Sequence, residues 1–393
     1  MNIMNIMPGI RFYNCLLIAF LTACTLSPVF AQNKRMEDEL QQIMQSTSAV
    51  GLSVAVVKNN HIIYTHSFGS KDLESNTPLN DSDIFRIASI SKSFSATSIM
   101  QLREAGKLSL DDDFSKLVGF KVRNPAWPNT VITLRMVMSH TSSINDSQGY
   151  FSYDVINPDK NPNYAKCYNS YEPGKGYAYC NLNYNMVGAV IERISGERFD
   201  GYVKHHVLDP LGLYGGYCVD SLNSKRFVTL YDYDSVAKKL KADPSAYKQR
   251  SEVIQNYVIG YSTPVFSPTG GMKISATDLA KYMIMHMNYG KANGVRIISK
   301  KSEKLMRAKV SDNEGGYGLA LRGSDDLIPG EKMVGHTGSA YGLYSAMFFQ
   351  PKKKFGIVVI TNGCITNYLP GSTDIVVVLR ETVNCLYNNL IKE

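Results

Sequence analysis

The chain has 393 residues, 44% hydrophobic and 19% charged, which supplies a full apolar core and excludes a disordered chain. At this length about two domains are expected. The formal charge of +8 comes from 42 basic and 34 acidic residues that are interspersed, with no basic run carrying interleaved aromatics, so nucleic acid is excluded as a partner.

At the N-terminus Arg11 precedes the apolar run Cys15-Leu16-Leu17-Ile18-Ala19-Phe20-Leu21, and a polar chain starts after Val29-Phe30-Ala31. This pattern predicts a signal peptide over residues 1–31; the run is too short to remain as a membrane span. A second reading takes Leu21-Thr22-Ala23-Cys24 as a lipobox, with Cys24 as a lipidated N-terminus that anchors the protein. Both readings export the chain, to the periplasm or beyond. Cleavage after Ala31 leaves five cysteines (Cys167, Cys180, Cys218, Cys364 and Cys385), an odd number for which buried thiols are the expected state. Neither a Cys-x-x-Cys pair nor a His-Glu-x-x-His helix occurs, so no metal or other cofactor is expected.

Next comes a helix from Met36 to about Ser46, with Leu40, Ile43 and Met44 on one face. Two β-rich runs, 51–57 and 61–68, flank Lys58-Asn59-Asn60 and predict an antiparallel hairpin. From Ser89 the spacing of Ile90, Phe94, Ile99 and Leu102 predicts a buried helix that stops at Ala105-Gly106. Residues 111–279 read as mainly helix and loop, and eight tyrosines fall between Tyr150 and Tyr184, marking 144–178 as a long ordered loop. Amphipathic helices are expected over 278–287 and 299–307. Strand character returns at 317–322, 333–337, 343–349 and 355–360, and a helix follows through Ile375, Val378, Leu379, Val383, Leu386 and Leu390. The predicted fold class is α/β (α+β): residues 32–110 and 280–393 build a mixed, antiparallel sheet flanked by helices, residues 111–279 form a mainly helical region, and a cleft between them is the expected site.

A Ser-x-x-Lys pair opening a helix puts an amine beside a hydroxyl, because positions i and i+3 share a face. The chain contains three: Ser89 with Lys92, Ser235 with Lys238, and Ser245 with Lys248. Only the first opens an apolar helix; the others sit in a charged surface stretch. Further on come Tyr179-Cys180-Asn181, and then His336-Thr337-Gly338 inside a predicted strand. Tyr387 with Asn389 repeats the Tyr-x-Asn spacing, but in the C-terminal helix.

The ordered set Ser-x-x-Lys, Tyr-x-Asn and His-Thr-Gly resembles the penicillin-recognising serine hydrolases, the β-lactamase/transpeptidase-like group that holds class C β-lactamases, DD-peptidases, D-aminopeptidases and related esterases. The resemblance runs from about residue 40 to 390. It takes in Phe85–Lys92, Met138-Ser139-His140-Thr141-Ser142 (with Ser143 where glycine is usual), Pro173-Gly174 and Gly270-Gly271-Met272. It implies that Ser89 attacks a carbonyl, Lys92 and Tyr179 take its proton, and Tyr179 protonates the leaving group. Asn181 would hold Lys92 and the substrate amide. His336 and Thr337 would line the cleft, and Gly338 and Ser339 would carry the wall whose N–H, with that of Ser89, binds the oxyanion. His140 is expected to tie a turn together, and Cys180 to point into the core.

A Ser-His-Asp hydrolase is disfavoured, since no Gly-x-Ser-x-Gly pentapeptide occurs. Histidine stands where a β-lactamase of this group usually carries lysine, a change from a fixed cation to a mostly neutral ring. The expected activity is therefore exported hydrolysis of peptide, amide or ester bonds, with a small-molecule or peptide substrate such as cell-wall material. A class C-like β-lactamase and a non-catalytic penicillin-binding or sensor protein are the alternatives.

Overall fold

The computed structural model describes residues 32–311, 316–368 and 375–392; the targeting segment and Cys24 lie outside them. Along the central sheet the strands run Arg322–Ser324, Met333–Ala340, Leu343–Gln350, Phe355–Thr361, Gly51–Lys58, His61–Asp72 and Thr77–Pro78. Every pairing in this sheet is antiparallel, as expected for an antiparallel sheet flanked by helices. The Gly51–Lys58 strand lies in the middle, paired to Phe355–Thr361 on one side and His61–Asp72 on the other.

Side chains alternate across a strand, and here both faces are apolar. Leu52, Val54, Val56, Ile357 and Val359 face one layer, built from Met36, Leu40 and Ile43 of helix 32–47 and Val378, Val383 and Leu386 of helix Val377–Leu390. Ala55, Val57, Val358 and Ile360 face the larger core, with Phe94 and Ile99 of helix Lys92–Glu104, Leu279 and Met283 of helix Ala276–Met287, and Val187 and Val190 of helix Asn181–Ser195. The chain's two ends thus close one side of the sheet, and its middle covers the other.

Two predicted elements differ from the structure. The strand drawn over 317–322 is only Arg322–Ser324, because Tyr317 and Arg322 meet as an isolated bridge across a turn. The helical middle also holds a hairpin, Leu230–Asp234 with Lys239–Asp243, whose alternation is masked by charged residues, and a small three-stranded sheet of Phe85–Arg86, Lys273–Ile274 and Gly215–Gly216. Within that hairpin Ser235 and Lys238 are exposed, as are Ser245 and Lys248 beyond it. All five cysteines of the described residues are free and buried.

Candidate active site

The small three-stranded sheet delivers the chain to Ser89. After Phe85–Arg86 the backbone enters a left-handed turn at Ala88, with φ of 48°, and then a 3-10 turn, Ala88–Ser91, before helix Lys92–Glu104 begins. Ser89 therefore precedes the α-helix and does not open it, a difference from the sequence reading. In a 3-10 turn residues i and i+3 eclipse, which places Lys92 directly beside Ser89. Neighbouring bonds brace the turn: Tyr217 donates to the Ser91 carbonyl at 2.8 Å, and Ser345 to the Ile87 carbonyl at 3.1 Å.

Lys92 is fully buried, and its Nζ donates at 3.0 Å each to Ser89 Oγ, Asn181 Oδ1 and the Thr269 carbonyl. Burial pushes its pKa down to about 7, against the pull of the Asp146 carboxylate, so the amine is substantially neutral at neutral pH. The Tyr179 ring centroid lies 4.7 Å from the same Nζ.

His140 holds Tyr179 from both sides. Its carbonyl accepts the Ala178 N–H at 3.0 Å and its Nδ1 accepts the Cys180 N–H at 3.1 Å, while its ring sits 4.4 Å from the Tyr179 ring. Burial and the charge of Lys92 keep the His140 pKa well below the usual imidazole range, so it acts as a neutral strut. The expected turn-tying role is what the geometry displays. Ser143, standing where glycine is usual, adopts φ of 62° and accepts Asn124 Nδ2 at 3.0 Å, a bond that offsets the left-handed strain.

Asp146 has no place in the sequence reading, yet it organises this wall. Its carboxylate accepts the backbone N–H groups of Asn181 and Leu182 at 2.8 and 2.9 Å, Asn181 Nδ2 at 3.0 Å and the Cys180 thiol at 3.1 Å. It caps helix Asn181–Ser195 from a distant loop, where the anion also meets the helix dipole. The Asn181 amide is thereby turned so that Oδ1 accepts from Lys92 and from Thr269 Oγ1, with Nδ2 engaged by Asp146 and not only with a substrate. Asp146 and Thr269 lie in loops without periodicity; an acidic residue a few positions after a His-Thr-Ser turn is the only trace they leave in sequence.

The facing strand, Met333–Ala340, carries the third motif. Gly338 is required there: a Cβ would lie 2.3 Å from the Ile87 carbonyl and 3.2 Å from Ala88 Cβ. That close approach brings Ser339 to the turn that holds Ser89. Thr337 is half-buried and Ser339 exposed. His336 corrects the expectation of a cleft-lining group. It is 4% exposed, its Nδ1 donates to the Thr337 carbonyl and its Nε2 accepts Tyr317 OH at 3.2 Å. Burial, with Lys92 and Arg322 nearby, lowers its pKa to about 3, so the ring is neutral. Tyr317, legible in the sequence only as the start of a strand, is thus its holder.

Ser89, Tyr179, Asn181, Thr269, Gly270 and Ser339 together line a cleft of about 420 Å³, closed on another side by Tyr150 and Phe151. The tyrosine-rich loop therefore both lines the cleft and packs inward, since Tyr153 is buried and donates to the Asn185 carbonyl at 2.5 Å. Among the described residues no cluster of metal-binding side chains occurs.

A hydroxyl beside a buried, near-neutral amine, with a tyrosine at hand, on this sheet and helix frame, is the arrangement that activation of a serine hydroxyl requires. The chain belongs to the Beta-lactamase family, whose profile matches residues 36–368. It is 22% identical over 354 residues to Protein flp of Staphylococcus aureus strain MRSA252, covering 84% of this chain and 62% of that protein, so it spans less than two thirds of that relative's length. The octameric penicillin-binding protein homologue from Pyrococcus abyssi superposes with a TM-score of 0.68 at 27% identity, over 84% of this chain and 73% of that one. The D-amino acid amidase from Ochrobactrum anthropi SV3, complexed with D-phenylalanine, superposes with a TM-score of 0.67 at 18% identity, over 91% of this chain and 99% of that one, a likeness of fold.

Proposed function

We propose that the protein is an exported hydrolase that cleaves amide, peptide or ester bonds through an acyl-enzyme on Ser89. The observation that carries this reading is the Lys92 amine, buried and 3.0 Å from Ser89 Oγ, with its pKa lowered to about 7. Such an amine accepts the hydroxyl proton at neutral pH as Oγ adds to the carbonyl. Tyr179, held by His140 next to Lys92, passes a proton to the departing amine or alcohol and then draws one from the water that attacks the acyl-enzyme. Backbone N–H groups of Ser89 and Ser339 hold the oxyanion, a contribution of about 3 kcal/mol per donor. Asn181, braced by Asp146, keeps Lys92 in place.

Peptidase or esterase action is favoured over β-lactamase action because His336 is neutral and buried, and offers no fixed cation to a drug carboxylate from this strand. Export rests on the sequence of residues 1–31; among the described residues no helix is long and apolar enough to cross a membrane. A screen across D-Ala-D-Ala peptides, D-aminoacyl amides, short acyl esters and nitrocefin tests the reading. Turnover of the first three classes, lost by about ten-thousand-fold in Ser89→Ala, is the expected result. Efficient nitrocefin hydrolysis alone overturns the ranking, and failure of a fluorophosphonate to label Ser89 in the folded protein removes the catalytic reading altogether.

A further inference from the structure

Three residues before the nucleophile, Arg86 is 6% exposed, and neither it nor the nearby Arg250 has an ion-pair partner among the described residues. Its Nη2 donates to Ser267 Oγ at 3.2 Å, its guanidinium carbon lies 5.0 Å from the Tyr341 ring centroid, and its Nε is buried with no hydrogen-bond partner among the described residues. Tyr341 itself is held in a left-handed conformation, φ of 56°, at the turn after the third motif. A buried guanidinium without a counter-charge is costly unless something else brings one. Lys273, its partner across the small sheet, brings no counter-charge: it too is buried, its Nζ donates to the Tyr217 carbonyl at 2.6 Å, and burial, with Arg86 and Arg250 nearby, holds its pKa well below the usual lysine range.

The place where a counter-charge fits is a second lobe of about 500 Å³ that adjoins the cleft and shares Arg86, Phe151, Ser267 and Tyr341 with it. Arg250 lines the far side, Tyr153, Val253, Pro264 and Val265 give the lobe apolar walls, and none of its lining residues is acidic. Neither Ser89, Tyr179 nor Asn181 reaches this lobe. Tyr179, which serves the leaving group in the proposed reaction, lines the cleft and not the lobe, and on that separation the lobe is assigned to the acyl part of the substrate. We infer that this lobe is a subsite for a carboxylate carried on the acyl chain, held by Arg86 with Arg250 at the rim, so that the preferred substrates are half-esters or half-amides of dicarboxylic acids. The cation that the strand wall lacks at His336 is supplied from the strand leading to Ser89. The inference rests on the serine hydrolase reading for its orientation, and on the two guanidinium groups for its chemistry.

Matched esters decide it: the mono-4-nitrophenyl ester of glutaric acid against its methyl-capped diester. The wild-type protein is expected to favour the acid by about tenfold or more in kcat/KM, the range of a charge-assisted contact. That ratio falls to about one in Arg86→Gln, recovers in part in Arg86→Lys, and drops several-fold in Arg250→Gln, whose half-exposed position spares the fold should Arg86→Gln not fold. Equal rates for the two esters in the wild type, or a preference untouched in both glutamine variants, overturn the inference. Calorimetry of glutarate monoamide against glutaramide on Ser89→Ala separates the two readings, because it needs no acylation. Tighter binding of the anion supports the subsite even where no ester is turned over, and equal binding removes the subsite while leaving Ser89 labelling to judge the enzyme.

Discussion

On the helical wall of the cleft a buried amine, Lys92, and a carboxylate, Asp146, are joined through the amide of Asn181, whereas on the strand wall His336 is neutral and bonded to Tyr317 and its neighbouring carbonyl. One wall concentrates titratable chemistry; the other supplies shape and backbone donors. The difference means that proton transfer should respond to changes on the helical side and be largely indifferent to the ring on the strand side.

The strongest test of that division is Lys92→Ala, expected to lower kcat/KM by about a thousandfold. In the wild type the rate should climb with pH through about 7, as the buried amine loses its proton, and level off above it; this limb should vanish in the variant. Asp146→Asn comes next, with a loss of about ten- to a hundredfold from misplaced Asn181 and Lys92. Because the carboxylate holds the Lys92 pKa up, its removal should move the rising limb to lower pH, which a pH profile of kcat/KM reads directly. His336→Gln should cost less than about tenfold in rate and about 1 kcal/mol in stability from the lost Tyr317 bond, with the limb unmoved, since the ring is neutral over the whole range. The smallest effect is expected for Ser143→Gly, where relief of the left-handed backbone and loss of the Asn124 bond nearly cancel, leaving thermal stability within about 1 kcal/mol.

The outer frame was legible because it repeats: strands 51–58 and 355–361 and the helix after Ser89 announce themselves by apolar period. Ser89, Lys92, Tyr179 and Asn181 were legible as an ordered set, and the structure brings Ser89, Tyr179 and Asn181 into one cleft with Ser339, with Lys92 buried beside Ser89 and Gly338 packed against its turn. Their supports were not. Asp146 and Thr269 sit in loops, where no period betrays a residue, and Tyr317 and Arg86, though inside segments that could be read, act through contacts with segments distant in sequence. His336 shows the remaining limit. Its position in the motif could be read, but its role depends on burial, which turns a candidate contact for substrate into an internal strut.

The central pairing of Gly51–Lys58 with Phe355–Thr361 has a consequence for how the protein comes into being. The hairpin of strands Gly51–Lys58 and His61–Asp72 keeps one long apolar edge unpaired until almost all of the remaining chain is available to it. Folding of the sheet is therefore necessarily late and non-local, and the nascent chain depends on being shielded from other unpaired edges until its last strands arrive.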